Sequence, residues 1–137
     1  MKRIFAVIDT NVIVSGMITS NPDAPTVGVL DCLGNKTITP LYCEEILEEY
    51  KNVLNREKFH LPKEKVEKFI KMIKSDGVSS NRRPAKEYFP DPKDIVFYEV
   101  ALSKEDSFLV TGNNKHFPKV DFVVTPAEMM KIVDRNK

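Results

Sequence analysis

An acidic residue stands directly after an apolar segment near the start of the chain. Residues Ile4–Ile8 have the unbroken apolar character of a buried strand in a parallel sheet, and Asp9 follows them. Ligand sites in open α/β sheets lie outside the carboxyl ends of the strands, so Asp9 is predicted to lie at the usual position of the active site in such folds. The amide of Asn11 is close enough in sequence to orient its carboxylate. A turn without further function would account for the same Asp, because Asp commonly ends strands.

A second source of acids is the amphipathic helix predicted over residues 42–55. It carries four glutamates, Glu44, Glu45, Glu48 and Glu49. At about 100° per residue, Glu49 lies nearest the boundary of the apolar stripe that centres near Tyr50. We therefore predict that Glu49 faces a pocket, with Glu45 and Glu44 as the next candidates and the other glutamates in solvent.

Two further acids come at the start of a helix predicted over residues 92–103, with Pro92 as its first residue. Asp91 is a natural N-cap, and Asp94 lies in the first turn, where the helix dipole favours a negative charge. Capping alone explains both residues. The functional interpretation is that helix starts in this architecture lie beside strand ends, so the same acids are able to serve a site as well.

A turn after a later apolar strand offers neutral oxygen ligands. Residues 108–111 are predicted to form this strand, which ends in Thr111 and is closed by Gly112 and Asn113. Gly permits a tight turn, and the Thr and Asn side chains bind water or phosphate, although a turn with no function fits equally. The chain has no Cys/His cluster, so zinc is disfavoured, whereas an all-oxygen acidic site suits Mg²⁺ or Mn²⁺. Such ions neutralise a phosphodiester and activate the water that attacks phosphorus.

The elements that must position these residues alternate between strands and helices. Strands are predicted over residues 4–8, 37–39, 108–111 and 122–124. Helices are predicted over residues 26–33, 42–55, 62–76 and 92–103, and from Pro126 after a capping box formed by Thr125 and Glu128. Residues 15–25 and 79–90 are expected to be irregular. Strands separated by helices indicate a parallel sheet covered on both faces, which is an α/β fold.

Length and composition indicate a single domain over residues 1–137. The net charge of +1, from 21 basic and 20 acidic side chains, is not that of a high-affinity nucleic-acid binder. It does not exclude a nuclease, because an acidic pocket can cancel a basic rim. The chain has no apolar run of about 18 residues and no small-residue cleavage site near its start, and its two cysteines lack metal-ligand spacing. We therefore expect no signal peptide, no membrane segment and a cytoplasmic protein.

Taken in order, these segments resemble the PIN-domain family of metal-dependent ribonucleases, which includes many toxins of prokaryotic toxin–antitoxin pairs. The resemblance rests on residues 8–12, 45–50 with 53–54, 91–94, and 110–113 before 115–117, and it extends over nearly the whole chain. It implies a three-layer α/β/α sandwich around a central parallel sheet. It also implies that an acidic cluster holds one or two divalent ions.

The resemblance also assigns roles by position in this sequence. The implied metal ligands are Asp9, Glu49 and Asp94, with Asp91 as an auxiliary acid, and the implied orienting residues are Asn11 and Thr111. One departure concerns Asn113, because many family members have an acid at that position. An amide there binds a metal or holds a water through its oxygen but removes one charge, which leaves one-metal chemistry or a weaker enzyme as alternatives.

Substrate contacts are predicted on two basic segments. Arg82 and Arg83 precede the helix-start acids, whereas Lys115 and His116 follow the later turn, so both pairs are placed to meet phosphates beside a metal. Solvated surface charge is the alternative for each pair. The sequence thus predicts a Mg²⁺- or Mn²⁺-dependent endoribonuclease acting on RNA, with an antitoxin and a homodimer as the partners that the resemblance allows.

Two other functions remain open from the sequence. A PIN-like module that binds RNA or protein without cleaving it fits the neutral Asn113 and the balanced charge. Haloacid-dehalogenase-like phosphatases also place an Asp after the first strand. They need a second Asp two residues later, where this chain has Asn11, so the phosphatase is the less favoured alternative.

Overall fold

A parallel sheet of five strands lies at the centre of the computed structural model, which describes residues 3–136. The strands are β1 (Ile4–Ile8), β2 (Ile38–Tyr42), β3 (Val78–Ser79), β4 (Ser107–Val110) and β5 (Val123–Val124). The sheet order is β3-β2-β1-β4-β5, and every neighbouring pair is parallel. The helices are α1 (Thr10–Ile18), α2 (Pro25–Gly34), α3 (Glu44–Leu54), α4 (Lys63–Asp76), α5 (Ile95–Leu102) and α6 (Pro126–Arg135). The predicted three-layer α/β/α fold is confirmed.

Within residues 3–136, no helix is long and apolar enough to cross a membrane. The expectation of no signal peptide depends partly on residues 1 and 2, which lie outside the described part of the chain. The prediction of one domain over residues 1–137 extends beyond that part at both ends.

Strand β1 is buried on both faces of the sheet. Ala6, Val7 and Ile8 are each at most 1% exposed, and successive strand residues point to opposite faces. Strand β1 pairs with β2 on one side and with β4 on the other, so the direction of winding reverses at β1. The crevice between the carboxyl ends of β1 and β4 is thus the topological switch point at which α/β folds bind ligands.

Helix α3 has the predicted amphipathic pattern and is fixed beside the end of β1. Its buried residues are Ile46, Leu47, Tyr50, Val53 and Leu54. The buried Tyr50 hydroxyl donates a hydrogen bond of 2.5 Å to the carbonyl oxygen of Ile8. The helix begins at Glu44 rather than at residue 42, because Tyr42 completes β2. The contact with Ile8 holds this part of α3 close to the strand end that Asp9 follows.

The prediction of a loop over residues 15–25 is wrong in its first part. Helix α1 begins directly after Asp9 and continues to Ile18, so only residues 19–24 connect it to α2. The small residues Ser15 and Gly16 suggested a loop, but Gly16 allows two helices to approach closely. A Cβ at this position would lie 2.6 Å from the Leu30 side chain in α2. Such a tertiary contact leaves no local pattern in the sequence.

Three smaller features complete the comparison of elements. Strand β3 was not predicted, because two exposed residues are too few to show an alternating pattern. The helix predicted over residues 92–103 is divided into a 3₁₀ turn, Pro92–Asp94, and α5. The capping box at the start of α6 is confirmed, since Thr125 Oγ1 accepts a 3.1 Å hydrogen bond from the Glu128 N–H.

Candidate active site

Asp9 lies in the crevice between β1 and β4. It follows β1 and precedes α1, and only 6% of its surface is exposed. Its Oδ2 atom accepts a 2.7 Å hydrogen bond from the hydroxyl of Thr111, which follows β4 and is fully buried. The two side chains are 102 positions apart in sequence and meet because their strands are neighbours. The structure therefore joins two of the predicted site residues directly.

The surroundings of the Asp9 carboxyl act on its pKa in opposite directions. Burial raises this pKa, and the negative charge of Glu49 raises it further. The hydrogen bond from Thr111 and the backbone N–H groups of Thr10 and Asn11 lower it. The net effect is a raised pKa, so the hydrogen bonds to the Asp9 carboxylate do not fully offset the cost of burying its charge near Glu49.

The Thr111 hydroxyl also fixes the turn that follows it. The Thr111 hydroxyl donates a hydrogen bond to Asp9, and its oxygen accepts a 3.0 Å hydrogen bond from the backbone N–H of Asn113. The hydroxyl is thereby used as donor and acceptor at once, which fixes its rotamer. Asn113 itself is exposed, so its side-chain amide lies at the surface beside the crevice.

Asp94 is the most perturbed carboxyl of this region. Its side chain is 16% exposed, and its Oδ2 atom is buried without a hydrogen-bond partner among the described residues. Burial, followed by the charges of Asp9 and Asp91, raises its pKa to about 6. The Nδ1 atom of His116 lies 3.5 Å from Oδ2 and opposes this rise when the imidazole is protonated. An unpaired buried oxygen of this kind is suited to a cation.

Glu49 is the third acid of the region. It is half-buried, whereas Glu44, Glu45 and Glu48 are exposed, as the helical geometry predicted. Its charge raises the pKa of Asp9 and of Asp94, and Asp9 acts likewise on Asp94. These three carboxyls therefore share one electrostatic environment although they come from distant parts of the chain.

The carboxylate oxygens of the three acids are suitable ligands for a hard divalent cation, but the acids do not form a complete coordination site. Within residues 3–136, no group of three or more His, Cys, Asp or Glu side chains is close enough to hold a metal ion. Magnesium usually keeps several waters and is bound in proteins through one or two carboxylates. Such a site is compatible with three observations. The Asp9 carboxylate is buried, Asp94 Oδ2 has no hydrogen bond, and the carboxylates of Asp9, Glu49 and Asp94 repel one another.

Two further predicted site residues, Asn11 and Asp91, lie at the surface. The hydrogen bond that orients the Asp9 carboxylate comes from Thr111, and the orienting role of the exposed Asn11 side chain stays a prediction. Asp91 is exposed, and its Oδ1 atom accepts a 3.0 Å hydrogen bond from the Lys93 N–H. Its capping role is thus confirmed, and its charge reaches the site through its effect on Asp94.

The phosphate-binding role of Arg82 stays a prediction, and its side chain already has acidic partners within the protein. Its Nη1 atom lies 2.6 Å from the carboxylate of Glu45, and its Nη2 atom lies 2.7 Å from that of Glu99. The guanidinium is therefore occupied in two ion pairs within the protein. Arg83 and Lys115, by contrast, are exposed.

Glu99 is a structural residue that the sequence analysis missed. It lies in α5, is 9% exposed, and accepts 2.7 Å hydrogen bonds from Arg82 Nε and from the backbone N–H of Ala85. It thereby fixes the irregular chain between β3 and the Pro92–Asp94 turn. The available signal was its position as the sole charged residue of the segment IVFYEVAL.

Comparison with known proteins gives one match. Residues 6–115 of the 137-residue chain match a family model described as PIN domain. The matched segment contains every residue predicted for the site except His116. No curated protein and no solved structure matches the chain.

Proposed function

Because the chain belongs to the PIN-domain family, we propose that it is an endoribonuclease that uses Mg²⁺ or Mn²⁺ to hydrolyse phosphodiester bonds in RNA. PIN domains are generally metal-dependent nucleases. The observation that most supports the proposal is the Asp94 carboxyl, which is held against the charges of Asp9 and Glu49 and has one buried oxygen without a hydrogen bond. Such an arrangement is costly without a cation and gains stability when one binds.

Each residue near the crevice has a distinct role in the proposal. Asp9 and Asp94 would supply oxygen ligands, and Glu49 would contribute a further ligand or the charge that attracts the ion. The chemistry that a bound divalent ion would supply is neutralisation of the phosphodiester charge and activation of a water. Thr111 keeps the Asp9 carboxylate in one orientation through its 2.7 Å hydrogen bond. Because Asn113 adds no charge, we propose that the site binds one metal ion rather than two.

The cellular role in this proposal is that of a toxin in a toxin–antitoxin pair. The expected partners are an RNA substrate, an antitoxin protein and a second copy of the chain, and the expected location is the cytoplasm. The support is that the PIN-domain family, to which the chain belongs, includes many such toxins. A small open reading frame next to the gene would be the corresponding genomic observation.

A second candidate function is a PIN-like module that binds RNA or protein without cleavage. It is favoured by the acids of residues 3–136, which do not form a ready group of three metal ligands, and by the neutral, exposed Asn113. Membership of the PIN-domain family disfavours the phosphatase alternative.

The experiment that separates the two candidates compares Asp9→Asn with the wild type. We expect the wild type to cleave a labelled single-stranded RNA with Mg²⁺ or Mn²⁺ and to stop when EDTA is added. Asp9→Asn removes a charged ligand but keeps an oxygen that can accept the Thr111 hydrogen bond, so cleavage should fall by at least about 100-fold in a folded protein.

Asp106→Asn is the matched control for this substitution. Asp106 is exposed, lies just before the amino end of β4, and has a φ of 62°, which Asn tolerates well. It should cleave RNA like the wild type. Equal cleavage by Asp9→Asn and the wild type would refute the mechanism, whereas RNA binding without any cleavage by the wild type would favour the binding module.

A further inference from the structure

Tyr88 is an aromatic side chain that the fold leaves in solvent. It is 85% exposed, compared with 50% for Ile18 and 39% for Val78, the other large exposed hydrophobic residues of the described chain. It lies in the irregular segment between β3 and the Pro92–Asp94 turn. Single exposed apolar residues are common on protein surfaces, so exposure alone assigns no role.

The residues on both sides of Tyr88 are fixed to the same side chain of α5. The Tyr98 hydroxyl donates a 2.7 Å hydrogen bond to the carboxylate of Glu87. The Tyr98 ring also contacts the buried ring of Phe89 edge to face, with centroids 5.2 Å apart. The backbone of Tyr88 is thus held at two neighbouring points while its ring projects outward. An aromatic ring on a fixed backbone can receive a planar ligand at little cost in conformational entropy.

Short steps in sequence and packing connect Tyr88 with the proposed metal site. Three residues later, Asp91 caps the turn that ends in Asp94. On the other side, the Phe89 ring lies 6.1 Å from the Phe117 ring, and Phe117 follows His116, whose imidazole contacts Asp94. The two segments that flank Asp94 therefore pack together next to Tyr88.

The charges close to Tyr88 are of both signs, because the exposed acids Glu87 and Asp91 lie in the same segment as exposed cations. Arg82 is neutralised by Glu45 and Glu99, but Arg83 and Lys86 are exposed in the same segment. Lys115 is also exposed, and it lies two residues before Phe117, whose ring contacts Phe89 of the Tyr88 segment. Cations that meet phosphates on either side of an exposed ring are the usual arrangement of a single-strand binding surface.

We propose that Tyr88 is a stacking platform for one base of a single-stranded RNA, with Arg83 and Lys86 contacting the adjoining phosphates. This inference rests on the proposed function, because it names the form of the substrate at the same site. Stacking on a ring recognises an unpaired base of any identity, and it is not available to a base within a duplex. The site therefore selects single-stranded over double-stranded RNA.

The first test measures binding in the Asp9→Asn background, so that the RNA stays intact. The probes are a fluorescein-labelled single-stranded oligoribonucleotide and an abasic strand of the same length. Tyr88→Ala should weaken binding of the oligoribonucleotide about tenfold and leave binding of the abasic strand unchanged. Tyr88→Phe retains the ring and should bind like its parent. Ile18→Ala removes exposed apolar surface at the far end of α1 and is the matched control.

The second test uses the absence of tryptophan from the chain. Tyr88→Trp introduces a single indole, whose fluorescence should be quenched by the oligoribonucleotide and not by the abasic strand. Stacking of a base on the indole is the reason for the expected quenching.

The outcomes distinguish this inference from the function on which it rests. Wild-type cleavage of RNA together with undiminished binding by Tyr88→Ala would overturn only the role of Tyr88. A change of oligomeric state in Tyr88→Ala, with RNA binding intact, would assign the ring to a protein contact and overturn it too. Failure of the wild type to bind or cleave any RNA would overturn both.

Discussion

The Asp94 carboxyl should make the stability of the free protein depend on pH. Its pKa is about 6 in the folded chain and near its ordinary value of 3.8 when unfolded. Between these values the folded state binds more protons than the unfolded state, so the free energy of unfolding falls as pH rises. The destabilisation is complete above the folded pKa, and it is absent below pH 4.

Asp94→Asn tests this dependence directly. Without metal, the variant should be more stable than the wild type at pH 7.5, by about 2 kcal/mol after allowance for solvent screening, and equal to it near pH 4. The measurement is urea denaturation over this pH range in the presence of EDTA. Stability curves that run parallel for the two proteins would show that the carboxyl has an ordinary pKa.

At the scale of residues, the sequence identified candidate acids but not the contacts of other side chains. Asp9 and Glu49 were recognisable because a strand end and a helical periodicity are local features. The capping position of Asp91 was recognisable for the same reason. The partner of Arg82 was not, because Glu45 and Glu99 lie on separate helices that only the tertiary fold brings to it.

The irregular chain between β3 and the Pro92–Asp94 turn depends on α5 for its order. The buried Glu99 carboxylate binds Arg82 and the backbone N–H of Ala85. Glu99→Gln would turn an amide donor toward one of these groups and leave the guanidinium partly uncompensated. We expect a loss of about 2 kcal/mol, because a nearly buried carboxylate that accepts charge-assisted hydrogen bonds is replaced.

Glu45→Gln provides the comparison for that substitution. The Glu45 side chain is 60% exposed and contacts the same guanidinium, so its replacement should cost less than about 1 kcal/mol. Both values are obtained from urea denaturation at neutral pH. Equal losses in the two variants would contradict the assignment of Glu99 as the anchor of this segment.

At the scale of elements, long amphipathic or capped segments were predictable and short ones were not. Helix α4 was expected over residues 62–76 and forms over Lys63–Asp76, since its buried face repeats over several turns. In helix α1 the buried apolar residues Val12, Ile13 and Val14 are consecutive, so no period marked the segment as helical. Strand β3 exists only through its pairing with Leu41 and Tyr42 of β2, which is a long-range contact.

For the whole molecule, the near balance of charge limits long-range attraction of RNA. The net charge is +1, and the exposed cations in the segments around the proposed site include Arg83, Lys86, Lys93 and Lys115. If these contact about three phosphates, the slope of log K against log salt for single-stranded RNA should be about −2. The measurement is salt titration of binding in the Asp9→Asn background. A slope steeper than about −4 would require a basic surface elsewhere.

A sizeable cavity in the structure lies away from the proposed metal site. A cavity of about 560 Å³ lies beside Ile4 and Ser107, at the amino ends of β1 and β4. Asp9 and Thr111 follow the opposite ends of the same strands. The topology and the charges of the acids, rather than concavity, therefore direct attention to the carboxyl edge of the sheet.

Diffraction from a crystal soaked in Mn²⁺, recorded at a wavelength where manganese scatters anomalously, tests the central claim most directly. We predict an anomalous peak in the crevice between β1 and β4, coordinated by oxygens of Asp9 and Asp94 and with Glu49 close to it. Asp94→Asn crystals should show a weaker peak or none. A well-diffracting wild-type crystal with no peak in this crevice, or with its manganese bound elsewhere, would contradict the account.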